Sequence, residues 1–271
     1  MDDSAVAAYL ERIGAGRPEV VDAAALRTLH LAHQRAVPFE NLSIHLDEPI
    51  SLAGDDLFDK IVTRRRGGFC YELNGLFALL LEALGVRVER VAARVFGDGR
   101  PGPLFDHLAL VLHLADGPWL ADVGFGDHSD YPIRYDSRQE QSDPGGLFLL
   151  TDAGDDVDVF KDGKPQYRIE RRVRSLADFV PTCWWQATSP DSHFVRGTVC
   201  TRLTADGRIT ISGNTLKVTS HGERTERKLT DAELLAAYRE HFGIALDRLP
   251  ARRSMPRSRN GAECVSAPTD R

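Results

Sequence analysis

The feature that most constrains the fold of this chain is a change in the spacing of apolar residues near residue 86. In "CYELNGLFALLLEALG", which precedes it, the apolar positions 73, 76, 77, 80, 81 and 84 recur at helical spacing, and the glycine at 85 is a natural stop. In "VRVERVAARVF", which follows it, apolar and polar residues alternate as in a half-buried strand. Helices that precede strands, without regular alternation of the two, predict an α+β fold.

The rest of the chain continues this order of helices, then strands, then a short mixed region. The runs "HLALVLHL" (107–114) and "WLADVGF" (119–125) predict a hairpin, because "ADGP" between them is a tight-turn signal. Thr230 and Glu233 form a capping box that predicts a helix ending at Gly243. After Pro250 the chain is rich in Arg, Ser and Pro, so we expect a loosely ordered tail.

Composition argues against several classes of function. The chain has 271 residues and a net charge of −6, from 34 basic and 40 acidic side chains, so it has no general attraction to nucleic acid or anionic membranes. It contains no apolar run of the roughly 18–20 residues that span a bilayer. The opening "MDDSAVAAYL" lacks the basic-then-apolar order of a signal peptide, and we expect a cytoplasmic protein.

The cysteines point away from a metal centre. None belongs to a Cys-x-x-Cys pair, so neither a zinc ribbon nor a thioredoxin-type motif is indicated. A site built from His113, Asp127 and His128 matches no familiar spacing of metal ligands. We therefore expect no bound metal and, in a reducing compartment, free thiols. The cysteines are Cys70, Cys183, Cys200 and Cys264.

Cys70 differs from the other cysteines because it lies where a turn ends and a helix begins. The unpaired N–H groups and the macrodipole at a helix N-terminus favour an anion, and the arginines at 64–66 add positive charge. Both effects lower a thiol pKa, and the thiolate is the nucleophile. Cys70 is thus a candidate nucleophile, with a buried structural cysteine as the alternative.

A nucleophilic thiol needs a base, and the base needs an orienting group. His107 opens the first strand of the predicted hairpin and Asp122 lies near the end of the second, so they face each other within a few residues of register. We interpret them as base and orienting group. Taken singly, an ordinary strand histidine and a turn aspartate remain open for the two positions.

Several segments together resemble the arylamine N-acetyltransferases, with the similarity running from about Pro38 through Phe194. These segments are "VPFENL", "RGGFCYELN", "DHLALVL", "LADVGFG" and "SPDSHF". The combination "RGGFCYELN" is the most specific, and the composition is similar to that of bacterial, actinobacterial-type members. The order Cys, His, Asp also suits the wider transglutaminase-like, papain-related group of cysteine enzymes.

The resemblance implies three parts and a two-step reaction. A helical bundle (1–85) carries the nucleophile, a β-barrel (86–185) carries His and Asp, and an interdomain segment with an α/β lid and flexible tail follows (186–271). Acetyl passes from acetyl-CoA, a cosubstrate rather than a tightly bound cofactor, to Cys70 and then to an arylamine, arylhydrazine or hydrazide. His107 is the proton partner and Asp122 orients it. The protein is expected to be a monomer or homodimer.

The resemblance also implies the remaining site residues. Phe39, Phe125 and Phe194 form the apolar wall for the acceptor. Val95, Phe96 and Gly126 lie where CoA is contacted. Glu40 and Arg66 form an ion pair that supports the glycine turn.

Three other functions remain open at this stage. The same three residues suit an amide synthase that releases a polyketide, with "GDGRPGPLF" (97–105) shaping a larger acyl cavity. A transglutaminase-like amidase would pass the acyl group to water. A non-catalytic ligand-binding relative is a third possibility, although binding alone needs no thiol with a base.

Overall fold

A computed structural model describes residues 1–251, so the predicted tail, with Cys264, lies largely outside the described residues. A π-helical turn, Asp59–Thr63, follows α4, and a 3-10 turn, Leu176–Phe179, precedes α6. The α-helices are α1 (Asp3–Ile13), α2 (Ala23–Ala36), α3 (Leu42–His45), α4 (Gly54–Phe58), α5 (Cys70–Ala83), α6 (Val180–Thr188), α7 (His193–Arg196) and α8 (Asp231–Phe242).

The strands form two antiparallel sheets. The larger is nine-stranded in the order β6-β5-β4-β2-β10-β9-β8-β7, with β3 beside β2, and the smaller is β1-β11-β12-β13-β14. The strands are β1 (Phe39–Glu40), β2 (Arg87–Gly97), β3 (Arg100–Pro101), β4 (His107–Leu114), β5 (Gly117–Ala121), β6 (Ile133–Arg134), β7 (Gln141–Asp143), β8 (Gly146–Ala153), β9 (Asp156–Lys161), β10 (Lys164–Arg174), β11 (Val199–Leu203), β12 (Gly207–Ser212), β13 (Thr215–Ser220) and β14 (Glu223–Lys228).

The larger sheet is curled until its terminal strands meet. Arg134 of β6 and Gln141 of β7 are joined by two hydrogen bonds, from the Arg134 N–H to Gln141 Oε1 at 2.7 Å and from Gln141 Nε2 to the Arg134 carbonyl at 3.0 Å. Side chains from its strands fill the interior. With helices first and this barrel-like sheet after them, the α+β prediction is confirmed.

The central strands β2 and β4 are buried on both faces, whereas the sequence predicted a half-buried β2. Val91 and Ala93 point into the barrel, and Ala92 between them packs against the helical core. Alternate residues of a strand face opposite sides, so a sheet covered on both faces reads as nearly continuous apolar sequence. Helix α5, most of whose residues are buried, is part of the covering layer.

The hairpin has the predicted partners but a shorter second strand. Leu110 pairs with Ala121, and the ladder stops there rather than at residue 125. The next two N–H groups are taken by side chains from helices: that of Asp122 by His30 and that of Val123 by Asn74. These bonds end the strand where the functional residues begin.

The smaller sheet links the first and last parts of the chain. Its strand β1 pairs with β11, Phe39 opposite Thr201, and Leu42 packs in the same core as Tyr238 of α8. Helix α8 has the predicted capping box at Thr230 and ends at Gly243. The division at 85 and 185 stays a prediction. No helix in the described part is long and apolar enough to cross a membrane.

Candidate active site

Cys70 is the first residue of α5 and follows a turn that only glycine can make. A Cβ on Gly67 would lie 1.9 Å from the carbonyl oxygen of Pro38. The Gly68 carbonyl accepts from the Glu40 N–H at 2.8 Å, which fixes the turn to β1. The predicted position of Cys70 in the first helical turn is confirmed, and the side chain is only 3% exposed.

His107 and Asp122 form a direct, buried hydrogen bond. His107 Nε2 lies 2.7 Å from Asp122 Oδ2. Because a carboxylate only accepts, Nε2 carries the proton, and Nδ1 is left with the lone pair of a neutral imidazole. Burial alone would raise the pKa of Asp122, but the facing imidazole outweighs burial and holds the pKa well below its ordinary value. Asp122 is therefore a carboxylate that orients His107.

Two residues that were assigned no role in the sequence hold Asp122 in place. Asn74 Nδ2 donates to Asp122 Oδ1 at 2.8 Å and to the Leu108 carbonyl at 2.7 Å. His30 Nε2 accepts from the Asp122 N–H at 3.2 Å, and its Nδ1 lies 2.9 Å from the Asp130 carbonyl. Asn74 lies within "RGGFCYELN", one helical turn after Cys70. A polar residue on the buried face of that helix needs a hydrogen-bond partner, and this need was the sequence signal for its role.

The loop after β5 lies directly on the start of α5, against the backbone of Cys70. A Cβ on Gly124 would lie 2.8 Å from the Cα of Cys70, so only glycine permits this approach. The backbone of Leu108, the residue after His107, lies close enough to Cys70 to lower the pKa of the thiol. Phe125 packs edge-on against the His107 ring with centroids 5.2 Å apart.

The electrostatics of Cys70 differ from the prediction. Burial raises the thiol pKa well above its ordinary value, the Leu108 hydrogen bond opposes this, and the carboxylates Asp106 and Asp122 add to it. The helix start and the arginines, which we expected to lower the pKa of the thiol, do not outweigh burial. The thiol can ionise readily only if its proton passes to a neighbouring group.

Two of the three arginines before the turn, Arg64 and Arg66, are paired with carboxylates. Arg64 pairs with Asp59 at the surface at 2.7 Å. Arg66 lies 3.0 Å from Glu40 and 3.0 Å from Glu48. Their charges are thus compensated by carboxylates rather than directed at the sulfur.

The Glu40–Arg66 contact is a buried ion pair, as the resemblance implied. Burial alone would raise the pKa of Glu40, but Arg66 and Lys60 outweigh it and hold the pKa below its ordinary value. A second buried pair, Lys60 Nζ to Glu72 Oε1 at 2.6 Å, lies beside it, and Glu72 also accepts from the Phe69 N–H. Both ion pairs hold the Gly67–Gly68 turn that precedes Cys70.

The three predicted wall phenylalanines fall into two groups. Phe39 and Phe194 are neighbours, with ring centroids 6.1 Å apart, and Phe194 also packs on Phe69, 5.4 Å away. Phe125 lies instead in the barrel group with His107 and contacts Tyr167 at 5.3 Å. The three rings therefore do not form one continuous stack.

The three residues predicted to contact CoA occupy different places. Gly126 has a positive φ of 94°, and a Cβ there would lie 3.4 Å from the Phe39 ring. Val95 pairs with Tyr167, and its carbonyl accepts from the Gly102 N–H at 2.7 Å. Phe96 lies 5.9 Å from the Arg168 guanidinium, by centroid distance.

The other described cysteines and histidines form no further reactive centre. Cys183 and Cys200 are buried free thiols whose pKa burial raises. Burial lowers the pKa of His128 to about 4, so it is neutral near pH 7. Residues 1–251 contain no group of three or more acidic, histidine or cysteine side chains placed to hold a metal ion.

Comparison with known proteins gives one consistent family. A family model described as N-acetyltransferase matches residues 22–250. An arylamine N-acetyltransferase of Mycolicibacterium smegmatis is 38% identical over 257 residues, which cover 90% of this chain and 93% of that protein. One from Escherichia coli K12 is 34% identical over 248 residues, with 88% of both chains covered.

Solved structures extend the match to the fold. The arylamine N-acetyltransferase of Mycobacterium marinum in complex with CoA superimposes with a TM-score of 0.82 at 32% identity, and the match covers 88% of this chain and 92% of that one. The match spans all three predicted parts, including the strands and helix after the hairpin.

Proposed function

The chain belongs to the arylamine N-acetyltransferase family of acyltransferases, and on that premise we propose that it carries acetyl from acetyl-CoA to arylamines, arylhydrazines or hydrazides through a thioester on Cys70. One observation carries the assignment of residues: the bond of 2.7 Å between His107 and Asp122, on a hairpin packed against the first residue of α5. Acyl transfer by a thiol requires a nucleophile, a base and an orienting group, and this bond supports His107 as the base and Asp122 as the group that orients it for Cys70.

The first half-reaction loads the cysteine. The proton of the Cys70 thiol passes to His107 Nδ1, and the sulfur attacks the thioester carbonyl of acetyl-CoA. The tetrahedral intermediate collapses by breaking the bond to the CoA sulfur, which takes the proton from the imidazolium and leaves as a thiol. Asp122 stabilises the imidazolium while it exists, and its position under Nε2 keeps the ring in the productive orientation.

The second half-reaction releases the product. The amine nitrogen attacks the acetyl thioester, and His107 Nδ1 takes the proton that the nitrogen loses. Collapse of this intermediate breaks the bond to Cys70, so an N-acetyl product leaves and a thiolate–imidazolium pair remains. The covalent thioester is held beside the acceptor, which favours attack by a weakly nucleophilic aromatic amine.

The acceptor and the donor bind through residues assigned by family position. Phe39, Phe125 and Phe194 supply apolar surface around the thiol, as an aromatic acceptor requires. A Mycobacterium marinum relative was solved in complex with CoA, which supports CoA as the donor. Val95, Phe96 and Gly126 are assigned to its contact by family position. Glu40 and Arg66 support the turn before Cys70 and touch no substrate.

We place the reaction in the cytoplasm, in a monomer or a homodimer. Acetyl-CoA is a cytoplasmic metabolite, and the three described cysteines are unpaired, as a reducing compartment favours. Sedimentation of the purified chain measures the oligomeric state.

Mass spectrometry of the intact protein after mixing with acetyl-CoA alone tests this function. We expect the mass of one acetyl group, mapped to the peptide that contains Cys70, and we expect none in the Cys70→Ala variant. Adding an anisidine should remove the adduct and yield the N-acetyl amine. Absence of the adduct, or its loss to water faster than to the amine, would contradict the transferase.

A further inference from the structure

A buried chain of hydrogen bonds joins the strand of His107 to the turn that carries Phe194. Gln186 of α6 is at its centre and is 1% exposed. Gln186 Nε2 donates to Asp106 Oδ1 at 2.6 Å, and Gln186 Oε1 accepts from Ser192 Oγ at 2.7 Å. Both ends of one side-chain amide are therefore used, in one orientation only.

Each end of this chain leads to a residue of the proposed site. Asp106 directly precedes His107, and its carbonyl accepts from the Tyr71 hydroxyl at 3.1 Å, beside Cys70. Ser192 caps α7, because its Oγ accepts from the Phe194 N–H at 3.2 Å. The Phe194 ring in turn packs against Phe69.

The Phe194 turn is held from the opposite side by bonds to the β1 region. Asn41 Nδ2 donates to the Phe194 carbonyl at 2.9 Å, and His45 Nε2 reaches the same oxygen at 2.9 Å. These bonds fix the distance between the Phe194 turn and the segment of β1 and α3. The bonds of Gln186 fix the distance between the Phe194 turn and the strand that begins at His107.

We propose that Gln186 is a positioning residue for the acceptor step, which sets the place of the Phe194 ring relative to His107 and so the fit of the aromatic amine. The inference rests on the proposed function. Gln186 contacts Asp106 and Ser192, not the reacting atoms, so its effect reaches the acceptor through Phe194. Loading of Cys70 by acetyl-CoA is assigned to His107 and Asp122, and Gln186 bonds to neither; its one link to the thiol is through Asp106, whose carboxylate is among those that raise the pKa of Cys70.

Exchanging the charges of positions 186 and 106 distinguishes a positioning role of the Gln186 hydrogen bonds from a role in packing alone. Gln186→Glu removes the Nε2 donor and puts a second carboxyl group against Asp106 Oδ1, so at a pH high enough to ionise both carboxyl groups their repulsion breaks the first bond. The double variant Gln186→Glu with Asp106→Asn restores it, because the amide introduced at position 106 donates to the carboxylate introduced at position 186. The other oxygen of that carboxylate still accepts from Ser192, and the net charge is that of the wild type.

Kinetics of the separate half-reactions test the proposal. In Gln186→Glu we expect the acceptor KM to rise about tenfold, a larger change than that in the rate of Cys70 loading by acetyl-CoA, which the added carboxylate affects only through the charge near the thiol. The double variant should recover most of the acceptor KM. Gln139→Glu, on the surface, is the control for the added charge and should behave as the wild type.

Two results would overturn the proposal. One is an acceptor KM that stays at the wild-type value in Gln186→Glu; the other is a double variant as impaired as the single one. If Gln186→Glu does not fold, Ser192→Ala breaks the chain at its other end and should give the same rise in acceptor KM. Failure of the wild-type protein to load Cys70 at all is a distinct result and counts against the proposed function instead.

Discussion

Asn74 Nδ2 lies 2.8 Å from Asp122 Oδ1, and this bond joins the helix that begins at Cys70 to the hairpin that begins at His107. The same amide donates to the Leu108 carbonyl and accepts from the Val123 N–H. One side chain thus connects both strands of the hairpin to the helix, and the direction of the Asp122 carboxylate depends on it.

The first prediction concerns Asn74→Leu. The change removes this partner from three buried polar groups, of which Asp122 Oδ1 keeps a bond from the Gly124 N–H at 3.0 Å. Each group left unpaired costs about 1–3 kcal/mol. We expect the free energy of unfolding to fall by about 3 kcal/mol or more and the loading of Cys70 to slow at least about tenfold. Urea unfolding and rapid-quench kinetics measure the two effects.

The matched control is Asn214→Leu, whose amide makes one long bond, 3.5 Å, to the Leu229 carbonyl. It should change neither quantity appreciably. Loading of Cys70 at the wild-type rate in Asn74→Leu would show that the amide does not orient Asp122.

The second prediction concerns the pH dependence of Cys70 alkylation. In the wild type the proton leaving the sulfur is taken by His107, so alkylation should continue below the pH of about 8.5 at which a free thiol titrates. In His107→Gln no base takes the proton, and burial, aided by the carboxylates Asp106 and Asp122, keeps the pKa of Cys70 raised. A raised pKa means that thiolate appears only at higher pH, so the alkylation profile should move above that of a free thiol.

Rates of iodoacetamide modification between about pH 5 and about pH 10, a range that brackets the ordinary thiol pKa, give both profiles. His113→Gln, which removes a surface contact to Glu89, is the control and should keep the wild-type profile. Identical profiles for His107→Gln and the wild type would remove His107 from the role of base.

The third prediction concerns the buried ion pair. Arg66→Met leaves the fully buried Glu40 without its closest positive charge, and breaking such a pair costs about 3–5 kcal/mol. Denaturant unfolding should show this loss. Arg64→Met, which breaks an exposed pair with Asp59, should cost about 0–1 kcal/mol. Equal stabilities of the two variants would show that the pair does not support the turn.

The fourth prediction concerns the glycine before the thiol. Gly67→Ala places a methyl group 1.9 Å from the Pro38 carbonyl oxygen, so the turn must move away from β1. We expect a loss of about 3 kcal/mol in stability and loading of Cys70 slowed by about a hundredfold. Gly16→Ala, with no atom within 4 Å of its new Cβ, should leave both unchanged. A Gly67→Ala protein with wild-type loading kinetics would contradict the role of the turn.

Local sequence patterns predicted the elements around the site well, because the relevant interactions are short-range. The start of α5 at Cys70, the partners of the hairpin and the capping box at Thr230 each follow from residues a few positions apart. The pairing of His107 with Asp122 was also within reach, since a hairpin brings such positions together.

What the sequence did not predict depends on contacts between distant segments. His30 is 92 residues from Asp122, and no local pattern marks it as the partner of that backbone N–H. The partners of the arginines before Cys70 include Glu48, 18 residues from Arg66, and without them the charge near the thiol was misjudged. The pKa of Cys70 depends on burial, which a residue's neighbours in sequence do not determine.

The strands β2 and β4 contribute side chains to two hydrophobic cores. Ala92 and Leu108 face the helices, whereas Val91 and Ala109 face the barrel interior. Opening either core exposes one side of the same strands, so the two should melt in a single step. A molecule that has lost its base but kept its folded thiol is then rare at equilibrium. The reactive sulfur meets solvent oxidants without its imidazole only in chains that have unfolded altogether, which chaperones and proteases already remove.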